Sequence, residues 1–331
     1  MSDRPHLSTP KPGVERDSSD HSISEELIMF AAPPVIETSV FVRIPESLHR
    51  DRPSHWIDYN QMGQKFPTFL EGPSFDRDGN LWVTDIPWGR LFKIAPDGKI
   101  TVALEYDGEP NGLKFHRDGR AFITDHKNGI MVFDPKTGKI ASHRDRGIVE
   151  RFKGVNDLIF ASNGDIYFTD QGQTGQQDRT GCLYRLRTNG RLDRILDCVP
   201  SPNGLALNHT ENIVYLCVTR DNAIWRVPLL PDGTATKVGI FIQMSGGNGP
   251  DGMAVDADGN LIVCHVGLGT VWVFSPIGEP LYRIKSCTGL LTTNCAFGGP
   301  EGKTLFITES KTGTVLKAEL KTAGHRMYSH M

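Results

Sequence analysis

The amino-acid sequence predicts an all-β protein, a six-bladed β-propeller, and three observations support this fold class. Six segments of similar pattern recur at intervals of 40 to 48 residues. Each is followed by further strand-like runs, which gives about four strands per repeat, the content of one propeller blade. The chain also has 35 Gly and 21 Pro, which favours many turns and short strands over long helices.

Each repeat opens with a turn that leads into a β-rich run. Most of the turns carry an Asp-Gly or Asn-Gly pair, a strong hairpin signal. The six runs are DGNLWVTD (78–85), DGRAFITD (118–125), NGDIYFTD (163–170), ENIVYLCV (211–218), DGNLIVCH (258–265) and EGKTLFITE (301–309). The strand-like stretch TSVFVRIP (38–45) precedes the first repeat, and we expect it to complete the last blade and close the ring.

The predicted organisation is a flexible N-terminal tail over 1–36, a single six-bladed propeller over 37–322 and a C-terminal tail over 323–331. The chain begins with a polar stretch without Phe, Trp or Tyr, MSDRPHLSTPKPGVERDSSDHS, which is typical of a disordered segment.

Composition and charge exclude several classes of function. The 331 residues carry a net charge of −3 without a basic block, which argues against nucleic-acid binding. No run reaches the roughly 20 apolar residues of a membrane helix, and no signal-peptide core is visible, so we expect a cytoplasmic protein with no membrane partner. The six cysteines form no CxxC pair, which favours reduced thiols over a disulfide framework.

A polar residue with side-chain oxygen lies eight residues before the turn of each repeat. In a propeller the first strand of each blade lines the central channel, so these residues should converge on the axis. Strand alternation would then place Leu113, Leu158, Leu205 and Met253 deeper in the channel. The polar residues are Glu71, Asn111, Asn156, Asn203, Asp251 and either Thr293 or Asn294, between which the sequence does not decide.

Two interpretations of these polar residues compete. Any single PNG or PDG stretch is better explained by an Asn or Asp that caps a turn. Six polar residues in register favour an oxygen-rich site on the axis. Its two carboxylates, Glu71 and Asp251, match the charge of one divalent cation and would repel each other without it. Hard oxygen ligands favour Ca²⁺, with Mg²⁺, Mn²⁺ or Fe²⁺ as alternatives.

Four of these motifs carry a resemblance to a known family. They are EGP at 71–73, ND at 156–157, PNG at 202–204 and PDG at 250–252. In this order the chain resembles, from about residue 38 to 320, the senescence marker protein/gluconolactonase family of six-bladed lactonases related to regucalcin and diisopropylfluorophosphatase. The resemblance implies that Glu71, Asn156, Asn203 and Asp251 surround a catalytic metal, and that Asp251 is the catalytic base or nucleophile.

The chain departs from the family pattern at two positions. Some relatives hold a second, structural calcium partly through an Asp three residues after the PDG Asp, and here Ala254 stands there. Relatives that act on sugar acids often carry an Arg two residues before the ND Asn, and here Gly154 stands there. The resemblance therefore supports the first metal site more than a second ion or a sugar-acid substrate.

The function expected from these residues is hydrolysis of a small, sugar-type lactone by a metal-dependent enzyme. The lactone carbonyl would bind the metal, and Asp251 would activate the attacking water. Asn111 and His126 are expected to bind the substrate, although a surface position for His126 explains its sequence equally well. The loop 171–181 is either a lid or an ordinary mobile loop, and Trp88 either stacks on substrate or packs within a blade.

Two alternatives remain open at this point. The same metal site would serve a phosphotriesterase-like hydrolase, or the chain would be a non-catalytic calcium-binding propeller. The second alternative is disfavoured by the paired carboxylates Glu71 and Asp251, because a binding scaffold does not need two axial acids with an open face.

Overall fold

The computed structural model describes residues 32–147 and 149–331, and it confirms the six-bladed β-propeller. Residues 33–331 form one compact unit. The disorder predicted for the N-terminal tail concerns residues 1–31, which lie outside the described residues. None of the helices in the described part is long and apolar enough to cross a membrane.

Each blade is built on antiparallel strands, and from residue 70 onward the innermost strand of each blade comes first in the chain. Two short strands precede the first blade, β1 (Val35–Glu37) and β2 (Ser39–Arg43). Blades one and two contain β3 (Leu70–Phe75), β4 (Leu81–Asp85), β5 (Arg90–Ile94), β6 (Ile100–Glu105), β7 (Pro110–Phe115), β8 (Ala121–Asp125), β9 (Gly129–Asp134) and β10 (Lys139–Arg144).

The remaining four blades follow the same order around the axis. Blades three and four contain β11 (Val155–Phe160), β12 (Ile166–Asp170), β13 (Gly181–Leu186), β14 (Leu192–Val199), β15 (Pro202–Leu207), β16 (Ile213–Val218), β17 (Ala223–Pro228) and β18 (Gly239–Gln243). Blades five and six contain β19 (Gly249–Val255), β20 (Leu261–Val266), β21 (Thr270–Phe274), β22 (Pro280–Lys285), β23 (Thr292–Gly298), β24 (Thr304–Glu309) and β25 (Thr314–Glu319).

Helical structure is sparse in the described residues. The α-helix α1 (His55–Asn60) begins at Ser54, whose side chain accepts a hydrogen bond from the Ile57 amide. The short 3-10 helices comprise Glu46–Leu48, Ile86–Trp88, Thr219–Asp221 and Tyr328–His330.

The N-terminal strands close the ring, as predicted. The strand β2 pairs antiparallel with β25 and completes blade six. The strand β1 pairs parallel with β22 and adds a fifth strand to blade five. The propeller unit therefore begins before residue 37, earlier than the predicted boundary.

The C-terminal residues 323–331 pack on the propeller, which corrects their prediction as a tail. The ring of Tyr328 is buried and stacks on Phe160 with a centroid distance of 5.1 Å. The His325 amide donates to the Val255 carbonyl at 2.8 Å. Burial of the aromatic ring and backbone pairing together hold this segment in place.

A register shift interrupts the pairing of each innermost strand near its start. Such a bulge re-aims the side chains that follow it, so the simple alternation assumed from the sequence does not hold here. The side chains expected deeper in the channel pack between blades instead. Leu113 belongs to the same buried cluster as Trp82 and Phe133, and Leu158 belongs to the same buried cluster as Phe168. Leu205 and Met253 likewise lie in clusters of buried residues between blades.

Buried hydroxyl groups join each blade to the innermost strand of the next. The Thr84 hydroxyl donates to the Asn111 carbonyl at 2.7 Å, and that of Thr124 donates to the Asn156 carbonyl at 2.5 Å. The Thr169 hydroxyl donates to the Asn203 carbonyl at 2.9 Å. These buried hydrogen bonds tie each blade to the backbone of the next strand that carries a polar residue.

We predict that Thr124→Val lowers the free energy of unfolding by about 1–3 kcal/mol, because it leaves the buried Asn156 carbonyl without its donor. Chemical denaturation measures the change. Thr124→Ser keeps the hydroxyl and should recover most of the loss, whereas Thr101→Val, at an exposed threonine, should have little effect. Equal stability of Thr124→Val and wild type would contradict the role given to these hydroxyls.

Candidate active site

All six residues predicted for the site line one cavity of about 620 Å³. It lies at the end of the propeller where the innermost strands begin. Glu71 comes from β3, Asn111 from β7, Asn156 from β11, Asn203 from β15 and Asp251 from β19. His126 follows β8 directly and lines the same cavity. The convergence predicted from the repeats is therefore present in the structure.

Thr293 holds the sixth position of this ring. Thr292 pairs with Glu309 in blade six as Leu70 pairs with Asp85 in blade one, so Thr293 corresponds to Glu71. Thr293 also lines the cavity. Asn294 corresponds to the residue after each polar position and therefore belongs to a second layer beneath the ring.

Glycine occupies this second layer in four blades because the neighbouring blades approach closely. A Cβ atom on Gly112 would lie 2.5 Å from Asp157 Oδ1, and one on Gly252 would lie 2.1 Å from Asn294 Cγ. The Gly of the PNG and PDG motifs is thus required by packing at the axis. Both motifs lie within strands, so the interpretation of their Asn and Asp as turn caps is wrong.

Asn294 joins two buried carboxylates. Its Nδ2 atom donates to Glu71 Oε2 at 3.0 Å and to Asp157 Oδ2 at 3.2 Å. Glu71 Oε2 also accepts from the Gly72 amide at 2.9 Å, and no hydrogen-bond donor to Glu71 Oε1 is found in the described part of the chain. Asp157 was not among the residues predicted for the site, and the position of Asn294 was undecided from the sequence. Asp157 and Asn294 are the two residues of the second layer that are not glycine, and this difference in the sequence could have identified them.

A chain of side-chain hydrogen bonds orients Asn156. Its Nδ2 donates to Gln171 Oε1 at 2.8 Å, and Gln171 Nε2 donates to the Ser201 hydroxyl at 2.9 Å. Because the amide nitrogen is engaged, the Asn156 Oδ1 atom is available to the cavity. Gln171 begins the loop 171–181, so the first residue of the predicted lid belongs to the wall. Farther along, Gln173 Nε2 donates to Asn60 Oδ1 of α1 at 3.0 Å.

The carboxyl groups of the site have raised pKa values. Burial raises the pKa of Glu71 to about 7. The pKa of Asp251 is raised well above its ordinary value by burial first, and then by the charges of Glu71 and Asp157. Burial also raises the pKa of Asp157. Within the described residues, no Lys or Arg nitrogen lies within 4.0 Å of these three carboxylates.

Lys114 is a buried cation that was not among the residues predicted for the site. It is 8% exposed and lies on β7, three residues after Asn111. Its positive charge lowers the pKa of both Glu71 and Asp157, against the larger effect of burial.

The donor set suits a hard divalent cation. The buried Glu71, the half-buried Asp251 and two amide side chains supply oxygen ligands, and burial is the first cause of the raised pKa of both acids. Across 32–147 and 149–331, no three His, Cys, Asp or Glu side chains cluster as metal ligands. The predicted set of ligands contains only two such residues, and its other two members are asparagines.

His126 and Gly154 share one place in the wall. A Cβ atom on Gly154 would lie 2.3 Å from His126 Cε1, so a side chain at position 154 and the imidazole exclude each other. Burial lowers the pKa of His126, which favours the neutral ring at neutral pH. The alternative of a surface histidine is wrong, because His126 faces the cavity.

Trp88 has a packing role. Its side chain is 2% exposed, and its indole nitrogen donates to the Pro67 carbonyl at 2.9 Å. It does not line the site cavity.

Comparison with known proteins places this geometry in a family. Residues 69–311 match the SMP-30/Gluconolactonase/LRE-like region. The chain belongs to the SMP-30/gluconolactonase/LRE-like family. This confirms the resemblance predicted from the EGP, ND, PNG and PDG motifs.

Two curated members of the SMP-30/gluconolactonase/LRE-like family are similar along most of their length. The gluconolactonase of Zymomonas mobilis is 32% identical over 288 residues, which cover 77% of this chain and 79% of that protein. The lactonase drp35 of Staphylococcus aureus strain MW2 is 31% identical and covers 69% of this chain and 72% of its own.

Solved structures of the family share the fold. The gluconolactonase of Xanthomonas campestris is 27% identical with a TM-score of 0.68, covering 76% of this chain and 86% of its own. The calcium-binding protein regucalcin of Agrobacterium tumefaciens has a TM-score of 0.72 at 21% identity, covering 91% and 100%. At this identity the second likeness concerns the fold alone.

We predict that Glu71 makes the metal-free protein less stable as pH rises. Its pKa of about 7 exceeds the ordinary value of 4.5, so the stability it contributes is complete below about pH 4.5 and is lost as pH rises through 7. Removing the ionisable group should abolish the loss, which amounts to roughly 3 kcal/mol.

Denaturant unfolding of chelator-treated wild type and Glu71→Gln between pH 5 and pH 8 measures this difference. The wild type should lose stability relative to the variant over this range. Parallel pH profiles of the two proteins would contradict the raised pKa.

Proposed function

We propose that this family member is a metal-dependent lactonase that opens a small lactone ring in the cavity at the axis. The observation that carries the proposal is the pair of carboxylates, the buried Glu71 and the half-buried Asp251, which line one cavity together with the amide side chains of Asn156 and Asn203 and whose pKa values are both raised. The names of the relatives, gluconolactonase and lactonase, support the same reaction class.

Four residues would hold the cation. Glu71 offers its unoccupied Oε1, and Asn156 offers the Oδ1 that its bond to Gln171 leaves available. Asn203 and Asp251 complete the set. The donors are all oxygen, which favours Ca²⁺ over Mg²⁺, Mn²⁺ or Fe²⁺. When bound, the cation supplies positive charge that polarises the lactone carbonyl.

The residues of the chain perform the proton transfers. Asp251, kept ionised by the cation, accepts a proton from water as the water oxygen bonds to the carbonyl carbon. The bond from that carbon to the ring oxygen then breaks, and the ring oxygen takes up the proton to become a hydroxyl group. The products are a hydroxy acid and the regenerated Asp251 carboxylate.

Asn111 and His126 bind the substrate in this proposal. Both line the cavity on blade two, and the neutral His126 ring offers one donor and one acceptor. His126 fills the space beside Gly154. In relatives that carry an Arg at the position of Gly154, the arginine side chain would need this same space. The two residues would orient the lactone with its carbonyl toward the acids.

The proposal is tested by stripping the protein of metal and assaying a panel of lactones after adding single ions. Activity should disappear on stripping and return best with Ca²⁺. Glu71→Gln should weaken Ca²⁺ binding, measured by calorimetry, by roughly 100-fold or more. Loss of a residue that only orients a metal ligand already costs about tenfold to 100-fold in affinity, and Glu71 is proposed as a direct ligand. Hydrolysis that persists in the stripped protein would contradict metal dependence. Metal-restored hydrolysis of phosphotriesters but not lactones would favour the rival reaction.

Asp251→Asn should reduce kcat by about a hundredfold or more, because the variant cannot accept the proton. Its far-UV circular dichroism and melting temperature should stay near those of wild type. The matched control is Asp78→Asn, at an exposed turn outside the cavity, which should keep full activity. Full activity of Asp251→Asn would remove this residue from the mechanism.

A further inference from the structure

The connection between β2 and β3, residues 44–69, is the longest between strands in the described part of the chain. It contains the 3-10 helix Glu46–Leu48 and the helix α1. Arg90, fully buried in blade one, donates to the Leu48 carbonyl at 2.7 Å and to Asp85 at 2.5–2.9 Å. We call residues 44–69 the insert. The insert is anchored to blade one through Arg90, and several of its residues line the cavity.

The insert builds an apolar surface with side chains of blades one and six. We call it the apolar wall; it consists of Trp56, Phe66, Phe69, Ile86 and Leu291, all of which line the cavity. Trp56 and Phe66 pack against Phe69 with centroid distances of 4.8 Å and 5.3 Å. Their close packing makes the wall a preformed surface.

The apolar wall lies across the axis from the polar side chains of blades two, three and four, although Asn60, Gln64 and Lys311 also line the cavity on the side of the wall. Asn111, His126, Asn156, Gln171 and Asn203 belong to blades two, three and four. The wall belongs to the insert, to blade one and to the connection that enters blade six. Because the blades follow one another around the axis, these are the two halves of the ring, and the acids lie between them.

Two large apolar side chains extend this half toward the cavity mouth. Leu290 is 59% exposed and Met62 is 86% exposed, and both line the cavity. The Leu290 carbonyl accepts from the amides of Gly267 and Gly269 at 2.9 Å and 3.0 Å, which fixes its backbone. An exposed leucine held this firmly at a cavity mouth is suited to contact a ligand.

We infer that the substrate is an amphipathic lactone whose ring carries an alkyl or aryl substituent, and that the apolar wall binds this substituent. The inference rests on the proposed function and specifies its substrate class. The lactone carbonyl lies toward Glu71 and Asp251, the polar half contacts the ring, and the substituent extends along Phe66, Ile86 and Leu291.

A polyhydroxylated sugar lactone fits this cavity less well. Its hydroxyl groups on one side would face phenylalanine, isoleucine and leucine side chains, which offer no hydrogen bond. An apolar substituent gains from the same contact, roughly fourfold in kcat/KM for each methylene that the wall buries.

The test is a series of δ-lactones with hydrogen, methyl, propyl or pentyl at the carbon next to the ring oxygen, compared with D-glucono-δ-lactone in the metal-loaded protein. We expect kcat/KM to rise along the series and to exceed that of gluconolactone. Leu290→Ser should lower the ratio of pentyl to unsubstituted lactone about fivefold. The matched control is Ile277→Ser, at an exposed turn outside the cavity, which should leave the ratio unchanged.

The outcomes separate this inference from the proposed lactonase activity. A flat or falling series with rapid turnover of gluconolactone would overturn the inference and leave the lactonase standing. If no lactone is hydrolysed, the lactonase proposal fails, and binding of the matching 6-alkyl δ-lactams by calorimetry decides the inference. Affinity that rises with chain length and falls in Leu290→Ser supports it, whereas affinity independent of chain length overturns it.

Discussion

Hydroxyl-to-carbonyl hydrogen bonds between blades hold the geometry on which the site depends. Each of Thr84, Thr124 and Thr169 reaches from the second strand of its blade to the carbonyl of a ring residue in the next blade. In blade six, Ser310 and Thr293 serve the Leu70 carbonyl of blade one. The ring residues thus have fixed backbones, and their side chains converge because neighbouring blades cannot slide past one another.

This fixed ring creates a concentration of buried negative charge. The charge of Asp157 raises the pKa of both Glu71 and Asp251, and the charge of Glu71 raises that of Asp251 further, whereas Lys114 lowers the pKa of Glu71 and Asp157. Buried charge of one sign is costly unless it is compensated. One divalent cation and one ammonium group would together balance three carboxylates. A site of this kind is poorly arranged for stability alone and well arranged for binding a cation.

Most of the fold was predictable because it repeats. The turn pattern identified the blades, the stretch 38–45 identified the closing strand, and polar residues in one phase identified Glu71, Asn156, Asn203 and Asp251. The bulges were not predictable, because pairing register leaves no mark in a strand of six residues. Thr293 and Asn294 could not be distinguished for the same reason.

Other parts of the site depend on contacts between segments that are distant in the chain. Asn294 meets Asp157 only because the ring is closed. The apolar wall arises from residues 44–69, which belong to no repeat and therefore gave no periodic signal. The position of His126 beside Gly154 likewise follows from two blades meeting, although both residues were noted in the sequence.

The closing segment has a consequence for synthesis of the chain. The strands β1 and β2 leave the ribosome first, but their partners β22 and β25 are among the last strands to be made. During translation the stretch Val40, Phe41 and Val42 has no native partner until β25 has been made. The nascent protein must therefore keep an apolar strand from aggregating until almost the whole chain has emerged.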